Sequence, residues 1–295
     1  MRKYILYVFV LTAVFLVSCN NIKNSKFRAD NGIVFDTISV NRQHFLEGDT
    51  ANSSCKIEID FVYPASSKYA DVDSLQRIFI NRFFGSAYDS LSAQEAVDKY
   101  VASYIANYEK DALTFKETLQ GDYNTDIFTP VFGHDDDMNN LPEKFYSYNE
   151  SLSDSVFYNA YGILSFQVKQ SNNKGGDAVF NSYQNYVINL ETMDMLTEND
   201  IFKPGYDTAL RQYLQTSLME QNSVKSINDL EDLGYFGIAE IIPNKNFLVN
   251  NKGIRYTFNK GEYSAYQLNA PEVFIPYNSV NSLLRDNSIV SNLAK

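Results

Sequence analysis

The residues from Lys174 to Phe202, KGGDAVFNSYQNYVINLETMDMLTENDIF, constrain the fold of this chain more than any other stretch. Tyr186, Ile188 and Leu190 alternate with Asn185, Val187 and Asn189, the two-residue period of a strand with one face on a core. Gly175 and Gly176 supply backbone freedom ahead of that strand. Glu191 to Asp194 leaves room to turn behind it, and Ile201 and Phe202 anchor a short helix before Lys203, Pro204 and Gly205 break the chain. Neither this stretch nor any other carries a catalytic motif.

The beginning of the chain addresses it. Arg2 and Lys3 precede an apolar run from Tyr4 to Val17 that ends in Leu16, Val17, Ser18 and Cys19. The run is shorter than the about 20 residues a membrane helix needs, and a small residue before cysteine fits signal cleavage. Residues 1–18 read as a lipoprotein signal peptide and Cys19 as the lipidated first residue of the mature chain. Acyl chains contribute about 0.8 kcal/mol per buried methylene, so two or three of them hold the protein on a membrane while the polypeptide stays outside. Residues 19–50 read as a lipidated tether, polar early, with a first strand over Ile33 to Val40. The expected location is the cell envelope, anchored by lipid, on the outer membrane.

Charge narrows the partners. Removing Arg2 and Lys3 from 25 basic residues leaves 23 against 36 acidic ones, a formal charge of −13. No nucleic acid is expected, since phosphate binding requires a basic face, whereas a basic protein would be attracted. With Cys19 carrying lipid, Cys55 has no disulfide partner, and on its strand it reads as a small buried apolar residue. The 22 tyrosines and 21 phenylalanines can fill a large core.

In residues 51–140, taken as an N-terminal α+β domain, Cys55, Ile57, Ile59, Phe61 and Tyr63 share one face of a strand that Pro64 ends. Asp71 or Asp73 caps a helix bearing Leu75, Ile78, Phe79 and Phe83, which closes near Gly85. Ser92 and Glu95 have capping-box spacing before a second helix, on which Val97, Tyr100, Val101, Tyr104, Ile105 and Tyr108 recur at three and four. That tyrosine stripe fits a core face better than a binding face. Asp122, Asn124 and Asp126 have the first spacings of a calcium loop, but Ile127 stands where glycine is required and Gly133 where glutamate is. His134 and Asp135 to Asp137 are consecutive and cannot converge on one ion. No metal and no cofactor are expected.

Residues 141–295 read mostly as sheet. A strand over Glu143 to Glu150 carries Phe145 and Tyr146, and another carries Leu164, Phe166 and Val168 on one face. The turn from Ser171 to Gly176 makes the latter an antiparallel hairpin with the strand of the opening stretch. Asp207 caps a helix with Leu210, Tyr213, Leu214 and Leu218, and Ser226 starts a shorter one stopped at Gly234. Phe247 and Val249 face Ile254, Tyr256 and Phe258 across the turn Asn250 to Gly253. Asn259 to Ala270 has no period before Val273 and Ile275 resume a strand that Pro276 ends.

In order, the Gly175-Gly176 turn, the strand ending in Asn189 and Leu190 with Thr192 in its turn, then Leu196, Asp200-Ile201-Phe202 and Pro271-Glu272-Val273-Phe274-Ile275-Pro276-Tyr277, resemble the RsiV-like extracytoplasmic domain family. That family includes the lysozyme-binding anti-sigma factor RsiV and the N-terminal, non-catalytic module of the peptidoglycan deacetylase PdaC. The resemblance covers about residues 141–285, and residues 51–140 are similar to the smaller domain that precedes it. It implies an α+β fold, an antiparallel sheet flanked by helices in two subdomains, that acts by binding. The chain departs from the family in Asp177 and Ala178, where Ala-His is usual, and in Met193, where glycine is usual. Neither a sigma-binding segment with a membrane helix nor a deacetylase domain accompanies the module, so sigma-factor signalling is not expected.

The resulting expectation is a lipid-anchored envelope protein that binds a lysozyme-like basic protein or a peptidoglycan fragment and is no enzyme. The candidate surface is the aperiodic loop with Tyr263, Tyr266 and Gln267 beside Pro271, joined by the turn at Lys174, Gly175 and Gly176, since tyrosine gives large contact area at low entropy cost. The alternative is an envelope glycan hydrolase using paired carboxylates, which need only about 5–10 Å of separation in space.

Overall fold

A computed structural model of the chain describes residues 26–27, 29–121, 145–175, 179–265, 268 and 270–294. The signal peptide, Cys19, the first residues of the tether and the acidic segment around His134 lie outside these residues. Among the described residues no helix is long and apolar enough to cross a membrane.

Two sheets organise an α+β fold. The larger has six strands in spatial order: β1 (Ile33–Phe45), β2 (Ser54–Ser67), β3 (Tyr148–Ala160), β4 (Ile163–Lys174), β5 (Phe180–Asn189) and β6 (Asp194–Met195). The first strand, expected to end at Val40, continues to Phe45 and pairs with β2 along its whole length. The hairpin of β4 and β5 forms, with Phe166 opposite Tyr186 and Leu164 opposite Ile188, but β4 runs through most of the expected turn, Ser171 to Gly176, and ends only at Lys174. One pair departs from an antiparallel sheet. β2 and β3 run parallel from Cys55 opposite Tyr148 to Asp60 opposite Ser153, because the chain crosses the sheet between them, and parallel neighbours need such a crossover.

That crossover contains two helices, α1 (Val72–Phe84) and α2 (Ala93–Gly121). Asp71 caps α1, its carboxylate accepting from the Asp73 and Ser74 amides. At α2 the Ser92 amide donates to Glu95 at 2.9 Å while the Glu95 amide donates back to Ser92 Oγ at 3.4 Å. Both helices cover one face of the sheet. Leu75, Phe79, Phe83 and Val97 meet Ile57, Ile59, Phe61, Leu164, Phe166 and Ile188 there in a first core, with Phe79 stacked on Phe166 at 4.1 Å. The strand expected over 143–150, with Phe145 and Tyr146, forms only in its last residues, Tyr148 to Glu150, as the start of β3. Strand pairing begins only at Tyr148, opposite Cys55 and Lys174, and the two aromatic residues precede it as irregular chain.

The smaller sheet follows α3 (Glu198–Ile201), α4 (Asp207–Gln221) and α5 (Ile227–Asp232). It consists of β7 (Phe247–Val249), β8 (Gly253–Thr257) and β9 (Glu272–Pro276), all antiparallel, and leads into α6 (Tyr277–Val280). The Ser226 capping box on α5 forms with Asp229. Asp207 is no cap; it is the first residue of α4, whose cap position is Tyr206 without a side-chain bond. Gly253 is required by close approach, since a Cβ there would sit 2.2 Å from the Ile275 carbonyl oxygen.

A second core lies between the smaller sheet, α4 and the far face of the large sheet, and contains Leu210, Leu214, Phe247, Ile254, Tyr256, Val273, Ile163 and Val187. The strand expected to bury one face therefore buries two: Tyr186, Ile188 and Leu190 enter the first core and Val187 the second. Amides fasten the join. The Asn185 amide group donates to Thr257 Oγ1 at 2.9 Å, and Asn246 Oδ1 accepts from the Asn185 backbone at 2.7 Å.

Candidate functional site

A cleft opens at the edge of the first core, along α2 beyond Val97. Ala93, Ala96 and Val97, in the first turns of the helix, are buried. Tyr100, Tyr104 and Tyr108 follow at four-residue spacing, so they continue the same face one turn after another. The strand below changes too. Leu152 on β3 is in the core, but the preceding residues on its face are Glu150 and Tyr148. Helix tyrosines and strand polar groups thus enclose a cleft of about 170 Å³, edged by Tyr88, Asn107, Asp111 and Lys174.

Its polar groups are asymmetrically satisfied. Glu150 is 9 % exposed, and Tyr100 donates its hydroxyl to Oε1 at 2.5 Å. Burial pushes the Glu150 carboxyl above the ordinary range, against the pull of that hydrogen bond and of the Lys174 charge. Burial also raises the Tyr100 and Tyr104 hydroxyls and takes that of Tyr108 to about 12, so all three are neutral donors. Tyr148 donates to Asp111 Oδ2 at 3.3 Å and Tyr108 to the Tyr146 carbonyl at 3.2 Å. Two lysines lie over tyrosine faces at the rim, Lys174 at 5.5 Å from the Tyr148 ring and Lys99 at 5.4 Å from the Tyr88 ring. Behind the cleft Cys55 is buried and free, its thiol raised to about 11 by burial. Such a thiol is no nucleophile.

On the opposite face a trough of about 290 Å³ is lined by Lys56, Glu58, Asn149, Ser151, Asn172 and Val179, among others. Glu150 reaches it too, and Lys56 and Glu58 within it are paired, Lys56 Nζ lying 2.6 Å from Glu58. Among the described residues no cluster of three His, Cys, Asp or Glu could hold a metal ion.

The residues singled out in the sequence are dispersed. Lys174 ends β4 at the rim of the cleft. Gly175 holds φ at +86°, and a Cβ there would meet the Tyr146 side chain at 2.7 Å, so this turn does require glycine. Gly176, Tyr266 and Gln267 lie outside the described residues. Tyr263 packs on the second core, edge-on to Phe258 at 5.3 Å, its hydroxyl accepting from the Ile242 amide at 3.4 Å. Pro271 is buried and its carbonyl accepts from the Phe258 amide at 2.9 Å. Lys174 and Tyr263 thus stand over different cores. Met193 does adopt the left-handed backbone of a glycine position, with φ +62°. Sequence reasoning assigned the tyrosine stripe to packing and passed over Glu150, although a glutamate in step with Tyr148 and Leu152 on an inward face was visible as an exception to the pattern.

Comparison with known proteins places part of this architecture. Residues 199–278 match a family model described as "Protein of unknown function (DUF3298)". The matched span runs from α3 through the smaller sheet into α6 and does not include the cleft. The crystal structure of a DUF3298 family member from Bacteroides fragilis NCTC 9343 superposes with a TM-score of 0.76 at 27 % identity, covering 90 % of this chain and 98 % of that one. A DUF3298 family protein from Pseudomonas aeruginosa PAO1 superposes at 0.59 and 12 % identity, over 88 % and 97 % of the two chains, a likeness of fold alone. No curated protein matches the sequence.

Proposed function

We propose that this chain is a lipid-anchored binding protein of the cell envelope whose tyrosine-lined cleft takes a fragment of peptidoglycan without transforming it. The observation that carries this reading is the cleft itself. Tyrosine rings offer apolar faces for the C–H side of a saccharide, while their neutral hydroxyls, Asn107 and Asp111 offer the hydrogen bonds that fix orientation. Its about 170 Å³ suits one sugar ring or one amino-acid side chain with its neighbours. The signal and cysteine at residues 1–19 and the resemblance to an envelope-sensing family support the location.

The position of the cleft supports it as well. Phe27, where the tether joins the core, packs beside Gly162 at the β3–β4 turn. The cleft is at the other end of β3, about 40 Å away at the usual rise per strand residue. A chain anchored at residue 19 thus enters the fold at the end of β3 remote from the cleft.

Calorimetric titration of the full-length protein in detergent with purified muropeptides tests the reading, with a basic c-type lysozyme titrated in parallel at low and physiological salt. Muropeptide binding that Tyr104→Ala weakens at least tenfold is the expected result. Salt-resistant lysozyme binding with no muropeptide binding would replace the ligand by a protein. A hydrolase reading has one observation in its favour, that Glu150 with its raised carboxyl and Asp111 line the same cleft. Turnover of peptidoglycan lost in Glu150→Gln would establish it instead.

A further inference from the structure

Glu150 is nine-tenths buried, yet among the described residues no cation lies within ion-pairing distance of it; its one close partner is the neutral Tyr100 hydroxyl. A buried carboxylate without a counter-ion is costly, and the usual remedies are protonation or a cation brought in from outside. The surroundings suit a cation. Tyrosine faces attract ammonium groups within about 6 Å of the ring centroid, and here Lys174 and Lys99 already take such positions over Tyr148 and Tyr88 at the rim. The inner rings of Tyr100 and Tyr104 have no such occupant among the described residues.

We infer that the cleft is an ammonium site, in which Glu150 supplies the counter-charge and the rings of Tyr100, Tyr104 and Tyr148 a cage for a protonated primary amine of the ligand. Resting on the peptidoglycan reading above, this names the group recognised: the free side-chain amine of the diamino acid in a stem peptide, in preference to the sugar. Lys174 is then a competitor. Its ammonium lies over one wall of the cage and acts on Glu150 at longer range, and an incoming amine displaces it toward solvent. Arrival of the cation also favours the ionised carboxylate, so binding releases a proton wherever Glu150 is protonated in the free protein.

The test is calorimetric titration of the full-length protein with three probes: muramyl tripeptide ending in L-lysine, the same tripeptide acetylated on the lysine side chain, and Nα-acetyl-lysine methylamide. The lysyl tripeptide should bind at least tenfold more tightly than its acetylated form. Glu150→Gln should remove that preference, and Lys174→Met should tighten the lysyl tripeptide severalfold. Gln keeps an acceptor for Tyr100, and an unchanged melting temperature separates lost recognition from lost fold. Equal affinity for both tripeptides would overturn the ammonium site and leave muropeptide binding standing. No affinity for either tripeptide, with binding of the lysine amide alone, would keep the ammonium site and overturn the peptidoglycan source. Weaker binding in Lys174→Met would make that lysine a ligand contact and sink the competition argument.

Discussion

Two buried glutamates divide the molecule. Glu198, at the start of α3 above the second core, is 3 % exposed; its two oxygens accept from the Tyr206 hydroxyl at 2.8 Å and the Lys245 amide at 3.1 Å. Glu150, beside the first core, is buried almost as deeply and has one short bond to Tyr100. The first carboxylate is a fastener. It ties α3, α4 and the approach to β7 together, and every bond it makes is internal. The second faces a cleft and is incompletely met by its own chain. Burial alone therefore does not distinguish a structural acid from a site; the count of internal partners does.

Removing the fastener should have the largest effect. Glu198→Ala leaves the Tyr206 hydroxyl and the Lys245 amide without their acceptor, at about 1–3 kcal/mol for each unsatisfied group. A loss of about 3 kcal/mol lowers the melting temperature of a chain this size by roughly 6–12 °C. Thermal unfolding that shifts by less than 2 °C would mean that the two donors find other acceptors, and the contrast with Glu150 would fail.

A third acid lies between these cases. Asp154 on β3 accepts from the Val62 amide at 2.7 Å through one oxygen, while the other is buried without a partner among the described residues. Burial pushes its carboxyl up to about 8. In the unfolded chain it ionises near pH 4. Between about pH 4 and pH 8 the folded state thus keeps a proton that the unfolded state releases, and stability falls as pH rises through that window. Asp154→Asn should match the parent near pH 4 and exceed it by an amount that grows to pH 8 and then levels, on the order of a few kcal/mol. A constant difference across pH, measured by denaturant unfolding, would show that Asp154 does not titrate in that window.

What the sequence disclosed follows the range of the interactions. Asp71, the Ser92–Glu95 box, Ser226 and the turn at Asn250 to Gly253 act over three or four residues, and each forms as the local chemistry requires. The parallel pairing of β2 with β3 depends on residues that are about 90 positions apart, as Cys55 and Tyr148 are, and no local pattern encodes it. The cleft was hidden for a different reason. Tyr100, Tyr104 and Tyr108 have the spacing of core residues, and whether such a stripe closes on leucines or stands over a glutamate is decided by the strand beneath it. Only the pairing places Glu150 there. The loop at Asn259 to Ala270 attracted attention because it lacks a period, yet Tyr263 uses its ring and hydroxyl to cover Phe258 and cap the Ile242 amide.

The smallest effect belongs to the incomplete acid. Tyr100→Phe removes the one hydroxyl bound to Glu150 and leaves the ring, so packing against Phe84 and Tyr88 at 5.2 and 5.8 Å is kept. That hydrogen bond pulls the Glu150 carboxyl down against the larger upward push of burial. Without it the folded-state value rises further, the window of proton retention widens upward, and the variant loses stability chiefly on the alkaline side of the parent's transition. The net loss should be about 1 kcal/mol or less near neutral pH, the ordinary worth of one hydrogen bond. In Glu150→Gln the same hydroxyl deletion should cost no pH-dependent increment, because nothing is left to titrate. A double-mutant cycle measured at pH 5 and pH 8 reads the coupling directly: a coupling that grows with pH assigns the bond to an ionisable Glu150, and one that is flat makes Glu150 a neutral spacer.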